Sequence, residues 1–188
     1  GDRSLISSSE VIERGALVLR RGLDVAAQIR GGGQEMGRRA GTENVIGIAG
    51  FGAAAEAAAR DLADGVWQGV AETRNCLEGT LEAECPGIIS VGKGQPRLPN
   101  TLCLVSPGWK GETQVMTLDL TGFAVSAGSA CSSGKVAASR VLVAMGLDAL
   151  AAGSALRVSI GPGITREDVL RFAQVFAAAW KRARGRMK

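Results

Sequence analysis

The 188-residue chain contains no histidine and no tyrosine, only five prolines, and only four cysteines: Cys76, Cys85, Cys103 and Cys131. Each scarcity closes off a class of chemistry. Without histidine, no Ser-His or Cys-His catalytic pair can be made within the chain, so a reactive cysteine here needs an activator from elsewhere. The cysteines stand at irregular spacings with no Cys-x-x-Cys pair, which argues against a zinc site and against a disulfide framework. No uninterrupted apolar run reaches the roughly 18 residues a membrane helix needs. The amino terminus has no apolar signal-peptide core, so a cytoplasmic location with no membrane partner is expected.

A hydrophobic content of 46% with few aromatics fits a helix-containing globule packed by Ala, Val, Leu and Ile. The net charge of +4 comes from the last eight residues, where Lys181, Arg182, Arg184, Arg186 and Lys188 are all basic. Outside that tail 17 basic residues face 18 acidic ones. A basic run at a helix end is favoured by the helix dipole, and no aromatic residue interleaves with it, so no nucleic-acid partner is expected.

Residues 1–14 are polar and weakly patterned, and Gly15 to Arg20 then reads as a short apolar strand. Gly22 to Gly41 reads as a loop, in which Gly31-Gly32-Gly33 can adopt backbone angles closed to other residues. Apolar spacing predicts helices over Thr42 to about Arg60 and over Leu62 to Ala83, the second stopped by Cys85-Pro86-Gly87. Strands are expected at Ile88 to Val91, Thr101 to Val105, Ala124 to Ser126 and Leu156 to Ile160, with helices at Glu112 to Leu120 and Val136 to Met145. A last helix starts at Thr165, with Asp168 completing a capping box; Val169, Phe172, Ala173, Phe176 and Trp180 line its apolar face. This order implies α/β architecture, with the Gly92 to Pro99 linker as a surface turn.

Three segments can carry chemistry. In Arg38-Arg39-Ala40-Gly41-Thr42, two arginines lead into a threonine at a predicted helix start. Backbone amides, the dipole and the hydroxyl converge there as in phosphate sites, although Thr42 could equally be an ordinary helix cap. Cys131 lies among Ser129, Ala130, Ser132 and Ser133, bracketed by Gly128 and Gly134. Such small neighbours suit an accessible thiol, whereas Leu102-Cys103-Leu104 reads as core and Cys76 and Cys85 as packing or surface. A serine-rich loop can also carry an idle cysteine. Arg157, in Leu156-Arg157-Val158-Ser159-Ile160, falls on the face opposite Leu156 and Val158. Its planar fork suits a carboxylate, from a substrate or from an internal acid. Lys135 reads as a solvated helix start.

In this order, the segments resemble the C-terminal half of cysteine desulfurases, pyridoxal-phosphate enzymes of aminotransferase class V, over about Gly15 to Ala183. Gly31-Gly32-Gly33-Gln34-Glu35 through Arg39-Ala40-Gly41-Thr42 resembles the loop that crosses the dimer, which places Thr42 at the phosphate of the partner subunit's cofactor. Ser126 to Ser133 resembles the mobile loop of the short-motif group typified by Ser-Gly-Ser-Ala-Cys, whose cysteine, here Cys131, accepts sulfur as a persulfide. Arg157 matches the arginine that grips the substrate α-carboxylate.

The resemblance implies the small α/β domain of a fold-type I transferase, a mixed sheet packed with helices, over residues 61–188. Residues 1–60 would then be the end of the large cofactor domain. It also implies pyridoxal phosphate in the complete enzyme, L-cysteine as substrate, and a sulfur-acceptor protein serving iron–sulfur cluster or thio-cofactor synthesis. A homodimer, or an N-terminal-half partner, follows as well. The family's cofactor-bearing lysine follows a Ser-x-His pattern, and a second histidine stacks on the cofactor ring; neither can be placed in a chain without histidine. The chain alone is therefore expected neither to hold the cofactor nor to turn over cysteine. The competing reading is a non-catalytic module that binds a partner subunit or a sulfur acceptor.

Overall fold

In the computed structural model, residues 17–20, 22–23, 25–128 and 138–186 are described. The chain divides into two compact units, Gly1–Ala63 and Asp64–Lys188.

The described part of the first unit is a loop followed by one helix. Leu17 to Arg20 form no strand, because a strand needs a hydrogen-bonding neighbour and no described residue supplies one. A 3-10 turn occupies Gln34–Gly37, and α1 spans Val45–Ala63. Helix α1 is rich in alanine, as its sequence predicts, but none of its residues is buried.

The second unit carries the core. Helix α2 (Val66–Glu84) leads to strand β1 (Ile89–Ser90) and then to β2 (Thr101–Val105). After α3 (Gly111–Asp119), the short helices α4 (Arg140–Ala144) and α5 (Ala149–Ala152) precede β3 (Ala155–Ser159) and α6 (Arg166–Gly185). The sheet order is β1-β2-β3, and both pairings are antiparallel where a mixed sheet is expected. The reason lies in the burial pattern. Leu102 and Leu104 pair with Val158 and Leu156 and are buried, whereas Cys103 and Arg157, paired on the opposite face, are not. A two-residue alternation with one open face is the signature of antiparallel pairing.

Against the closed face pack α2, through Leu77 and Leu81, and α6, through Phe172, Phe176 and Trp180. Phe172 and Phe176 lie 6.0 Å apart between ring centroids, and Trp109 tilts against Phe176 at 5.5 Å. A smaller cluster of Val105, Leu142, Ala152 and Ala155 covers one end of the other face.

Helix α6 begins with the predicted capping box: the Asp168 amide donates to Thr165 Oγ1 (3.2 Å) and the Thr165 amide to Asp168 Oδ2 (3.0 Å). Two expected elements differ. Ala124 to Ser126 reduces to an isolated bridge between Ser126 and Arg157. Of the helix expected over Val136 to Met145, Val136 and Ala137 lie outside the described residues; α4 begins at Arg140, where Ser139 Oγ accepts from the Leu142 amide and sets the cap. Helix α5 is unanticipated; Asp148 Oδ1 caps it by accepting from the Ala151 amide at 2.8 Å. The Gly92 to Pro99 linker is held to α2 by charge. Arg97 makes a two-pronged pair with Glu78, and Arg74 Nη1 donates to the Leu98 carbonyl at 2.6 Å.

Candidate functional site

The first group of site residues lies in the loop of the first unit, and its shape follows from close packing. A Cβ on Gly31 would meet Ala40 Cβ at 3.1 Å, and one on Gly32 would meet Gln34 Oε1 at 2.5 Å. Glycine at position 31 therefore lets one arm of the loop lie against the other, while the Gly32 contact is with a side chain of its own arm. The Ala40 amide donates to the Ile29 carbonyl (3.0 Å) and the Gly41 amide to Gln34 Oε1 (3.2 Å). Glu35 and Met36 both adopt left-handed backbone angles, with φ of 50° and 56°. Two such non-glycine residues in succession carry strain, which the surrounding contacts must hold.

Arg39, predicted from the sequence to help form an anion site, turns inward. Its Nη1 donates to the carbonyls of Ala40 (3.2 Å), Gly41 (2.8 Å) and Thr42 (3.4 Å), and its Nη2 meets Glu35 Oε1 at 3.4 Å. Thr42 does not cap the helix. That role falls to Asn44, whose Oδ1 accepts from the Gly47 amide at 2.9 Å, so α1 starts three residues beyond Thr42. The ordinary-cap alternative for Thr42 is thereby removed. Its side chain is exposed, and its hydroxyl has no partner among the described residues. A concavity of about 910 Å³ within this unit places Arg38, Thr42 and Asn44 beside the apolar Leu19, Ile48 and Phe51.

The second group lies on the open sheet face. Arg157 is exposed on β3, and its guanidinium makes neither an ion pair nor a hydrogen bond among the described residues. The internal-acid alternative thus finds no acid there. On one side Arg157 faces Cys103 across the β2–β3 register; on the other its backbone exchanges both hydrogen bonds with Ser126, at 3.1 and 2.7 Å. Cys131 and Lys135 lie outside the described residues. The sequence marks Ser126 as the end of an expected strand and the start of the Ser126 to Ser133 motif, but does not signal its pairing to Arg157.

The other thiols differ in setting. Cys85 is fully buried at the end of α2, where burial pushes its thiol up to about 11. Cys103 is half-buried, packed against the smaller cluster rather than the main core. Burial raises its thiol, and the Arg157 charge acts in the opposite direction. Neither is poised as a thiolate. Among the described residues no group of three His, Cys, Asp or Glu side chains could hold a metal, and no helix is long and apolar enough to cross a membrane.

Pyridoxal phosphate can be weighed against these residues. Its phosphate suits the exposed, unengaged Thr42 hydroxyl and the neighbouring Arg38. The chain has no histidine to supply the imidazole that stacks on the cofactor ring in the family it resembles. The fit is to one end of the cofactor.

The family model for class-V aminotransferases matches residues 21–172. A cysteine desulfurase of Klebsiella pneumoniae is 44% identical over 146 residues, which cover 78% of this chain and 36% of that protein. The cysteine desulfurase NifS of Azotobacter vinelandii is 39% identical, covering 84% of this chain and 39% of that one. Among solved structures, a NifS-like protein from Rickettsia africae ESF-5 superposes with a TM-score of 0.74 at 30% identity, covering 85% of this chain and 41% of that one. The chain thus spans about two fifths of the length of the relatives it matches.

Proposed function

The chain belongs to the aminotransferase class-V family, and from that premise we propose that it supplies the carboxyl-terminal portion of a cysteine desulfurase. The observation that carries the reading is the two-way backbone pairing of Ser126 with Arg157. It ties Ser126, at the start of the Ser126 to Ser133 motif, to the strand bearing an exposed arginine that has no side-chain partner among the described residues. Cys131 follows Ser126 by five positions, a stretch that reaches at most about 18 Å.

Each residue has one task. Arg157 binds the α-carboxylate of L-cysteine through its planar fork and orients the substrate. Thr42 holds the phosphate of the partner subunit's pyridoxal phosphate, assisted by the amides that follow it. The cofactor, when bound, supplies electron withdrawal from the amino-acid substrate. Cys131 attacks the substrate sulfur as a thiolate: its Sγ–S bond forms and the substrate C–S bond breaks. The net change converts L-cysteine and the Cys131 thiol into L-alanine and a Cys131 persulfide. An acceptor protein then takes the sulfur, for iron–sulfur cluster or thio-cofactor synthesis. Residues 61–188 act as the small domain and 1–60 as the end of the cofactor domain.

Without histidine, the 188 residues need a second portion that brings the cofactor-bearing lysine and the ring-stacking group. The test assembles the chain with the amino-terminal portion of a desulfurase and assays sulfide from L-cysteine. Activity is expected only in the assembly, and Cys131→Ser should abolish it while pyridoxal phosphate stays bound. Sulfur transfer that survives the substitution would remove Cys131 from its role. Assembly without any turnover would favour the non-catalytic, partner-binding module.

A further inference from the structure

Arg38 and Arg39 are adjacent and chemically identical, yet the structure separates them. Arg39 spends its guanidinium on the loop itself: one nitrogen spans three successive carbonyls, those of Ala40, Gly41 and Thr42, and the other meets Glu35. Carbonyls bound in this way turn inward. Because peptide groups are planar, this fixes the direction of the amides on the same segment. Gln34 Oε1 closes the opposite side by accepting from the Gly41 amide. Meanwhile the left-handed turn at Glu35 and Met36 is the bend that brings the Glu35 carboxylate back to Arg39.

We propose that Arg39 is a positioning residue for the anion site, holding the Ala40–Thr42 segment in a preformed shape that presents the Thr42 hydroxyl, while itself binding no anion. The inference rests on the reading of Thr42 as a phosphate ligand. A lysine could not substitute in full, since one ammonium has no second nitrogen held in the same plane to reach Glu35 while the first meets the carbonyls.

The test compares the unaltered chain with Arg39→Ala, Arg39→Lys, Thr42→Ala and the Arg39→Ala/Thr42→Ala double variant, each assembled with the amino-terminal portion of a desulfurase. Pyridoxal phosphate and pyridoxal, which lacks the phosphate, are titrated separately. Both Arg39 variants should weaken pyridoxal phosphate about tenfold and leave pyridoxal unchanged. The double variant should be no weaker than Arg39→Ala alone, because the two residues act through one contact. Equal loss for both ligands, or no loss in Arg39→Ala while Thr42→Ala weakens binding, overturns the positioning role and leaves the Thr42 reading intact. No effect of Thr42→Ala overturns that reading and the inference with it. Hydrogen exchange on the 188-residue chain gives a readout that needs no assembly. Arg39→Ala should speed exchange at the Ala40 and Gly41 amides about tenfold and leave α2 and α6 unchanged; unaltered exchange at those two amides contradicts the proposal.

Discussion

Ser126 and Arg157 exchange both of their backbone hydrogen bonds, the Arg157 amide donating at 2.7 Å and the Ser126 amide at 3.1 Å. Thirty residues of chain separate them, so the contact is made by the fold and not by local sequence. Its effect is to tie Ser126, whose following described residues end at Gly128, to the strand that displays Arg157. Ser126→Pro removes one of the two donors. It should lower sulfur transfer in the assembled enzyme while leaving the unfolding midpoint of the second unit within a few degrees, read by activity and thermal melts. Arg157→Ala should raise the KM for L-cysteine by about 10- to 100-fold, as expected for loss of hydrogen bonds to a charged group.

Glu78 is the buried anion between two arginines; its side chain is 5% exposed and that of Arg97 19%. Glu78→Ala breaks the Arg97 pair and leaves Arg74 buried without the opposing charge. It should cost about 3 kcal/mol in urea unfolding. Replacing the pair together, as Glu78→Met with Arg97→Leu, should recover the part of that loss due to Arg97, while Arg74 still lacks its opposing charge.

The capping box of α6 predicts an acid-side dependence. The Thr165 hydroxyl bond, then the Thr165 amide, hold the Asp168 carboxyl below its ordinary 3.8, with Arg171 adding to the effect. A depressed carboxyl stabilises the fold above its ordinary value, and that contribution disappears as pH falls through the folded value. Thr165→Ala should therefore lower stability at neutral pH, where the carboxylate is charged and the cap is intact. The gap from the unaltered chain should narrow as pH drops below 3.8, measured by denaturant unfolding across an acid series.

Cys85 predicts the opposite dependence. Burial raises its thiol from 9.0 to about 11. The folded chain then keeps a proton that the unfolded chain releases, and stability should fall as pH rises between those values. At pH 8 the native thiol should resist alkylation and react once the chain is unfolded; rapid native labelling would contradict its burial.

Much of this was legible from residue pattern because one physical rule dominated each feature. Strand β2 keeps its expected bounds, Thr101 to Val105, since alternation and flanking turn residues agree there. The face of Arg157 follows from the same period of two, and the start of α6 from the Thr165–Asp168 spacing. What was missed depends on side-chain direction. The inward turn of Arg39 hangs on left-handed angles at Glu35 and Met36, which neither residue type advertises. Asn44 displaced Thr42 as the helix cap although both residue types suit the position. The α5 helix is only four residues long, too short for a periodic signal.

The central claim is that Cys131 takes sulfur from L-cysteine. The most direct measurement is intact mass followed by peptide mapping of the chain, assembled with its amino-terminal portion and given L-cysteine before thiol blocking. One added sulfur atom is expected on the peptide carrying Cys131, absent in Cys131→Ser. A persulfide on Cys76, Cys85 or Cys103 instead, or sulfide release with no sulfur on Cys131, would contradict it.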